Sequence, residues 1–140
     1  MTPGQLTAFL HENIALTRAI GVQVTDAAVD RVRLVAPLQP NLNHHGTAFG
    51  GSLATVGILA GWVALHHALS EAGIDASLVI RKTDLDYLQP VTGDLVAECR
   101  LPAPDWLRFS EQLRHGRRAR IQVDSVLRCG DVDAMRARGT

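Results

Sequence analysis

The chain has 140 residues, enough for one hydrophobic core that buries roughly two-thirds of the surface an unfolded chain exposes, so neither a metal nor a disulfide staple is required. With 46% hydrophobic and 20% charged residues it is too apolar for a disordered chain and too polar overall for a membrane protein. Fourteen bases balance fourteen acids, which leaves no net field to hold a phosphate backbone and argues against nucleic acid as the main partner.

Thr2 and Pro3 have the form of an N-cap and a first helical residue, and Leu6, Phe9, Leu10 and Ile14 recur behind them at helical spacing. From Gly21 the period changes to two. Val22 and Val24, then Val32, Leu34, Ala36 and Leu38 against Arg31, Arg33 and Val35, predict two strands joined near Ala28 to Asp30. Pro37 and Pro40 stop the second strand, and residues 41–47 are turn-like, with two asparagines and a glycine. Gly50, Gly51 and Ser52 then open a helix that is apolar nearly all round until His66 and His67, which read as surface or interface residues. Gly73 is placed at its C-terminal end. Its most apolar part, residues 53–65, falls short of the roughly 20 residues that span a bilayer and predicts a core helix. Gly57 and Gly61 in that helix read as points of close packing on a sheet.

Strands are predicted over residues 78–88, 94–101 and 117–129, with a last one from Val132. Between them residues 105–114 form a short helix or ordered loop behind Pro102 and Pro104. In the third strand Ala119, Ile121, Val123 and Leu127 alternate with Arg118, Arg120, Gln122 and Asp124, a half-buried antiparallel pattern. The final residues 136–140 have little apolar content, which predicts a short, frayed or truncated edge. Together these elements give an α+β fold, one domain over residues 1–140, with a five- to six-stranded antiparallel sheet wrapped around a long central helix. A helix this apolar predicts a partner subunit, most simply in a two-fold homodimer. Cys99 and Cys129 lie in alternating apolar runs without CxxC spacing. They read as buried free thiols, with no metal site. No basic segment followed by an apolar run opens the sequence, so a cytoplasmic location is expected.

The segment with chemical potential is the start of the central helix. Glycines at 50 and 51 let a ligand approach the backbone, and the first amides of a helix lack intrahelical acceptors, so they can polarise a thioester carbonyl or hold an enolate oxygen. Ser52 can add a hydroxyl, but no G-x-S-x-G elbow surrounds it and a serine nucleophile is not predicted. No Asp or Glu occurs between Asp30 and Glu71, so a hydrolase would have to find its base in His44, His45, Asp84 or Asp86.

The string from Pro40 to Leu53, PNLNHHGTAFGGSL, followed by Leu59-Ala60-Gly61-Trp62 and by Tyr87 to Leu95, resembles the thioesterase-like hotdog domain found at the C-terminus of YiiD-type bacterial proteins. The resemblance runs over nearly the whole chain. It implies a hotdog fold, at least dimeric, acting without a cofactor on acyl thioesters of coenzyme A or acyl carrier protein, at a site beside the start of the central helix. The family includes malonyl-acyl carrier protein decarboxylases, and its catalytic asparagine corresponds to Asn43. Gly51 and Ser52 are expected to act with it, and Asn41, His45, Thr47, Phe49 and Gly50 to contact substrate. Phe49 departs from the histidine that many hotdog thioesterases carry before the two glycines, and the helix lacks their acid. Decarboxylation of a malonyl thioester needs donors rather than a base, so this composition narrowly favours it over thioester hydrolysis. A non-catalytic acyl-thioester binder and a dehydratase remain alternatives. Arg114, Arg117, Arg118 and Arg120 form a basic cluster that reads either as a solvated face or as a contact for an anionic carrier, with Arg117 and Arg118 as its candidate substrate-binding residues.

Overall fold

The computed structural model describes residues 1–140. Helix α1 (Pro3–Asn13) opens with a capping box: Thr2 Oγ1 accepts from Gln5 N–H, and Gln5 Oε1 accepts from Thr2 N–H at 2.8 Å. Leu6 and Leu10 carry its buried face. Ile14 adopts an extended conformation and breaks the helix, and a second, α2 (Ala15–Ile20), follows, which the apolar spacing does not reveal because no Gly or Pro marks the break. Strands β1 (Gln23–Ala28) and β2 (Arg31–Ala36) form the expected hairpin, with a bulge between Val24 and Asp26.

After a single 3-10 turn (Gln39–Asn41) and a loop come α3 (Gly50–Glu71), β3 (Thr83–Tyr87), β4 (Leu95–Arg100), α4 (Ala103–Arg114), β5 (Val123–Cys129) and β6 (Val132–Gly139). The six strands make one sheet in the order β1-β2-β4-β5-β6-β3, every pairing antiparallel. Val32, Leu34, Leu127 and Met135, with the smaller Ala97, point from it onto α3, each of the four larger buried side chains contributing about 1.5–3 kcal/mol. The opposite face is wet and charged, with Glu98 bridging Arg33 and Arg128 and Asp124 pairing with Arg138. This is the α+β hotdog arrangement, a long helix embraced by an antiparallel sheet.

Two glycines let α3 lie this close. A Cβ at Gly57 would sit 2.5 Å from Met135 Cε, and one at Gly61 2.9 Å from Val123 Cγ2. Ser125 Oγ, buried in β5, donates to Gly57 O at 2.7 Å and ties sheet to helix. By length and composition alone the 22-residue α3 is apolar enough to cross a membrane, which the shorter 53–65 window does not show; here two-thirds of its apolar window is buried against the sheet.

Several boundaries differ from the sequence pattern. Residues 117–122 alternate like a strand but precede β5, and residues 78–82 precede β3 with only Arg81 and Lys82 bonded, to Thr140. No neighbouring strand extends far enough to pair with them. The weakly apolar final segment is not a frayed edge: β6 lies between β5 and β3, and the edges are β1 and β3. His67 is 4% exposed rather than a surface residue, and His66 stacks against Phe9 and Trp62. Cys99 is buried as expected, with its thiol pushed up to about 12 chiefly by burial, whereas Cys129 is only half-buried.

Candidate active site at the start of the central helix

The segment between β2 and α3 is held from inside. Asn41 is 2% exposed, its Nδ2 donates to Ile20 O and Pro37 O, and its carbonyl accepts Phe49 N–H at 2.7 Å. It locks the end of α2 and the end of β2 to the start of α3. Asn41, expected to contact substrate, has its Nδ2 turned into the protein as a loop anchor, while its buried Oδ1 has no partner in the chain.

Asn43 organises the rest of the loop. Its Oδ1 accepts from His45 N–H at 2.8 Å and from Thr47 N–H at 3.1 Å, and its Nδ2 donates to Thr47 Oγ1 at 2.8 Å. A second Nδ2 contact, to Ala48 O, is long at 3.4 Å. Asparagine suits this turn because one short side chain satisfies several backbone groups at once. A bridge between Leu42 and Ala48 closes the loop and delivers the chain to Phe49. Thr47 is half-buried as Asn43's partner, and His45 is exposed with its ring against that of His44.

At Phe49, the N-cap, Ser52 N–H and Leu53 N–H donate to the Phe49 carbonyl, while Gly50 N–H and Gly51 N–H have no partner in the chain. Two free amides at the positive end of a 22-residue helix make a site for a negatively charged oxygen. The Phe49 ring, 57% exposed, lies over Gly51, where a Cβ would meet Cε2 at 2.4 Å. Ser52 is buried beneath and its hydroxyl makes no hydrogen bond within the chain. Tyr87 Oη donates to Gly50 O at 2.9 Å and pins β3 to the helix start, a contact the sequence pattern does not signal.

Asp84 and Asp86 do not join this group. They alternate with Leu85 and Tyr87, and since Tyr87 reaches Gly50, the two acids project from the other face of β3, opposite Arg138 and Arg136. About 10 Å along α3 from Gly50, an apolar cleft opens between the helix and the strands, lined by Gly57, Gly61, Trp62, Leu65, Leu78 and Ile121. Arg117 and Arg118 line a second cleft beside it, away from the helix start. The structure therefore brings Asn43, Thr47, Phe49, Gly50, Gly51 and Ser52 into one region and sets the arginines apart.

Comparison with known proteins agrees with this architecture. Residues 4–140 match the family described as "Putative thioesterase (yiiD_Cterm)". A structure described as a putative thioesterase from Shewanella oneidensis superposes with a TM-score of 0.90 at 26% identity, covering 98% of this chain and 93% of that one. The E. coli PaaI protein of the phenylacetic acid degradation operon shares the fold, with a TM-score of 0.69 at 16% identity over 98% of this chain and 89% of that one. A putative esterase of Halobacterium salinarum is 34% identical over 83 residues, 56% of this chain and 54% of that protein. The alignment thus spans about half the length of this curated relative.

Proposed function

We propose that this chain, which belongs to the "Putative thioesterase (yiiD_Cterm)" family, processes acyl thioesters whose carbonyl oxygen is held at the start of α3. The observation that carries this reading is the pair of unpartnered amides at Gly50 and Gly51 above the free hydroxyl of Ser52. Donors fixed where charge develops need no reorganisation as the reaction proceeds.

The reaction these groups favour is decarboxylation of a malonyl thioester. The bond between the carboxylate and the α-carbon breaks, carbon dioxide leaves, and the electron pair moves into an enolate whose oxygen the amides hold; the α-carbon then takes a proton from water to give an acetyl thioester. Asn43 contributes its Nδ2 donor, exchanging the long contact to Ala48 O for the substrate oxygen. No carboxylate from residues 31–70 stands near to repel the substrate's own. Hydrolysis is the second reading, supported by the family's thioesterase description, with exposed His45 as the group to activate water.

The assembly proposed is a two-fold homodimer, or a dimer of dimers. Strand β3 pairs with β6 alone, which leaves its outer edge open, and exposed Val79, Ile80, Tyr87 and Leu88 flank that edge beside the apolar cleft. Joining two β3 edges would cover this surface and enclose the helix start. Incubation with malonyl and acetyl thioesters, on coenzyme A and on acyl carrier protein, followed by mass analysis, tests the reaction. Acetyl thioester formed from malonyl without free thiol is the expected outcome. Free thiol would transfer the assignment to hydrolysis, and saturable binding without product would make the chain an acyl-thioester binder.

A further inference from the structure

Residues 117–122, between α4 and β5, meet the stretch that leads into β3. Arg117, Arg118 and Arg120 from the first segment and Arg81 from the second line one cleft, and Phe109 and Leu113 of α4 contribute apolar wall. No aspartate or glutamate lines it, and none of the four guanidiniums takes part in an ion pair. Most arginines on the sheet are paired, Arg100 with Asp30, Arg128 with Glu98 and Asp133, and Arg138 with Asp124, while Arg18 and Arg114 on the helices are unpaired like those of the cleft. Four guanidiniums without an ion pair around one concavity, where the only anion on the lining is the terminal carboxylate of Thr140, attract a polyanion.

This cleft shares Leu65, Leu78 and Ile121 with the apolar cleft along α3, so the two form one groove. Leu65 lies about 22 Å along the helix axis from Gly50 at 1.5 Å per residue. A phosphopantetheine arm has roughly 13 bonds from sulfur to phosphorus and extends to about 16 Å, and long arginine side chains cover the remainder. Resting on the thioester reading above, we infer that the cleft of Arg81, Arg117, Arg118 and Arg120 binds the phosphorylated nucleotide of coenzyme A thioesters. The thioester then lies at Gly50 and Gly51 and the pantetheine arm in the apolar cleft. A diphosphate and a phosphate monoester together carry about −3.5 to −4 at neutral pH, which matches four guanidiniums. The adenine gains apolar wall from Phe109 and Leu113. An acyl carrier protein presents one phosphodiester and no base to lie against Phe109 and Leu113, so it would leave the apolar wall of the cleft without a partner.

Titration calorimetry with coenzyme A itself, which carries no acyl group and needs no turnover, tests the inference. Arg117→Ala combined with Arg118→Ala is expected to raise the Kd for coenzyme A at least tenfold, and Arg81→Ala alone several-fold. Dephospho-coenzyme A should bind wild type more weakly than coenzyme A does. These arginines are exposed, so unchanged thermal melting verifies that the variants fold. Coenzyme A affinity unchanged by the substitutions overturns the cleft assignment, and continued conversion of malonyl-coenzyme A would show that the thioester reading survives. Binding of acyl carrier protein but not of coenzyme A, lost in the same variants, overturns the nucleotide assignment in favour of the protein carrier. If coenzyme A does not bind and no thioester on either carrier is converted, both readings fall.

Discussion

Replacing Asn43 separates two roles that one amide combines. Asn43→Ala deletes three hydrogen bonds of 2.8–3.1 Å and one long contact, all within the loop of residues 43–48. At about 0.5–1.5 kcal/mol net for each good bond, the loop loses roughly 2–4 kcal/mol of order, less whatever water restores. If Nδ2 also donates to the reacting oxygen, kcat falls about 10²–10³-fold, the cost of removing one such donor. Thr47→Val supplies the control. It removes only the Oγ1 that accepts from Nδ2 at 2.8 Å, keeps the β-branched shape, and leaves both bonds to Asn43 Oδ1 in place. Turnover of malonyl thioester, followed by mass, should fall less than tenfold in Thr47→Val and a hundredfold or more in Asn43→Ala. Equal losses in the two variants would reduce Asn43 to a loop organiser, and full kcat in Asn43→Ala would refute its part in the reaction.

Four other outcomes follow from the geometry. Gly61→Ala gains about 1 kcal/mol of helix propensity but sets a Cβ 2.9 Å from the stiff Val123 side chain. Overpacking of about 1–3 kcal/mol should outweigh that gain, and a net stabilisation in urea titration would show that α3 shifts freely on the sheet. Tyr87→Phe removes the bond to Gly50 O, and a several-fold fall in kcat with little change in melting temperature is expected; unchanged kcat would exclude this tether from the site. A thiol reagent at pH 8 should titrate one cysteine in the native protein and two after denaturation, since Cys99 is buried with its thiol at about 12 while the Cys129 thiol is lowered, first by a backbone hydrogen bond near Thr92. His67 is buried and its protonation is depressed below the ordinary 6.5, mainly by burial, so below that pH the unfolded chain binds the proton that the folded chain refuses. Stability should therefore fall as pH drops from 7 towards 5, and a slope undiminished in His67→Gln would assign it to other groups.

The architecture was legible where a local pattern has a single physical cause. Thr2-Pro3 signals a helix start, which Gln5 completes as a capping box, and Gly57 and Gly61 inside an apolar helix signal close approach to a sheet, which Met135 and Val123 supply. The pattern misled where alternation had no strand beside it. Residues 117–122 and 78–82 keep period-two spacing, yet β5 and β6 pair only from Val123 to Gly139, and an extended segment becomes a strand only when a neighbour accepts its hydrogen bonds. His67 departs from the pattern for a related reason: a polar residue late in an apolar helix looks like the beginning of its wet side, and only the packing around it makes it buried.

The site shows the same division between local and long-range information. The glycine pair and the free amides that follow from it are local, and so is the Asn43 loop, whose bonds close within five residues. Tyr87 is 37 residues from the carbonyl it reaches, and Arg81 joins Arg117, Arg118 and Arg120 only because the approach to β3 passes the segment after α4. Local sequence thus encodes the carbonyl-binding end of the proposed site, while the order of strands assembles its distant end. Substitutions that weaken the pairing of β3 with β6 should accordingly impair coenzyme A binding before they disturb the 43–48 loop, because the Arg81 segment is bonded to the sheet only through Thr140, at the end of β6. Asp86→Pro tests this, since proline in β3 removes a backbone donor next to Arg136 in the register. A large rise in the Kd for coenzyme A with an unaltered 43–48 loop by amide exchange is expected, and loss of loop protection at unchanged Kd would refute the division.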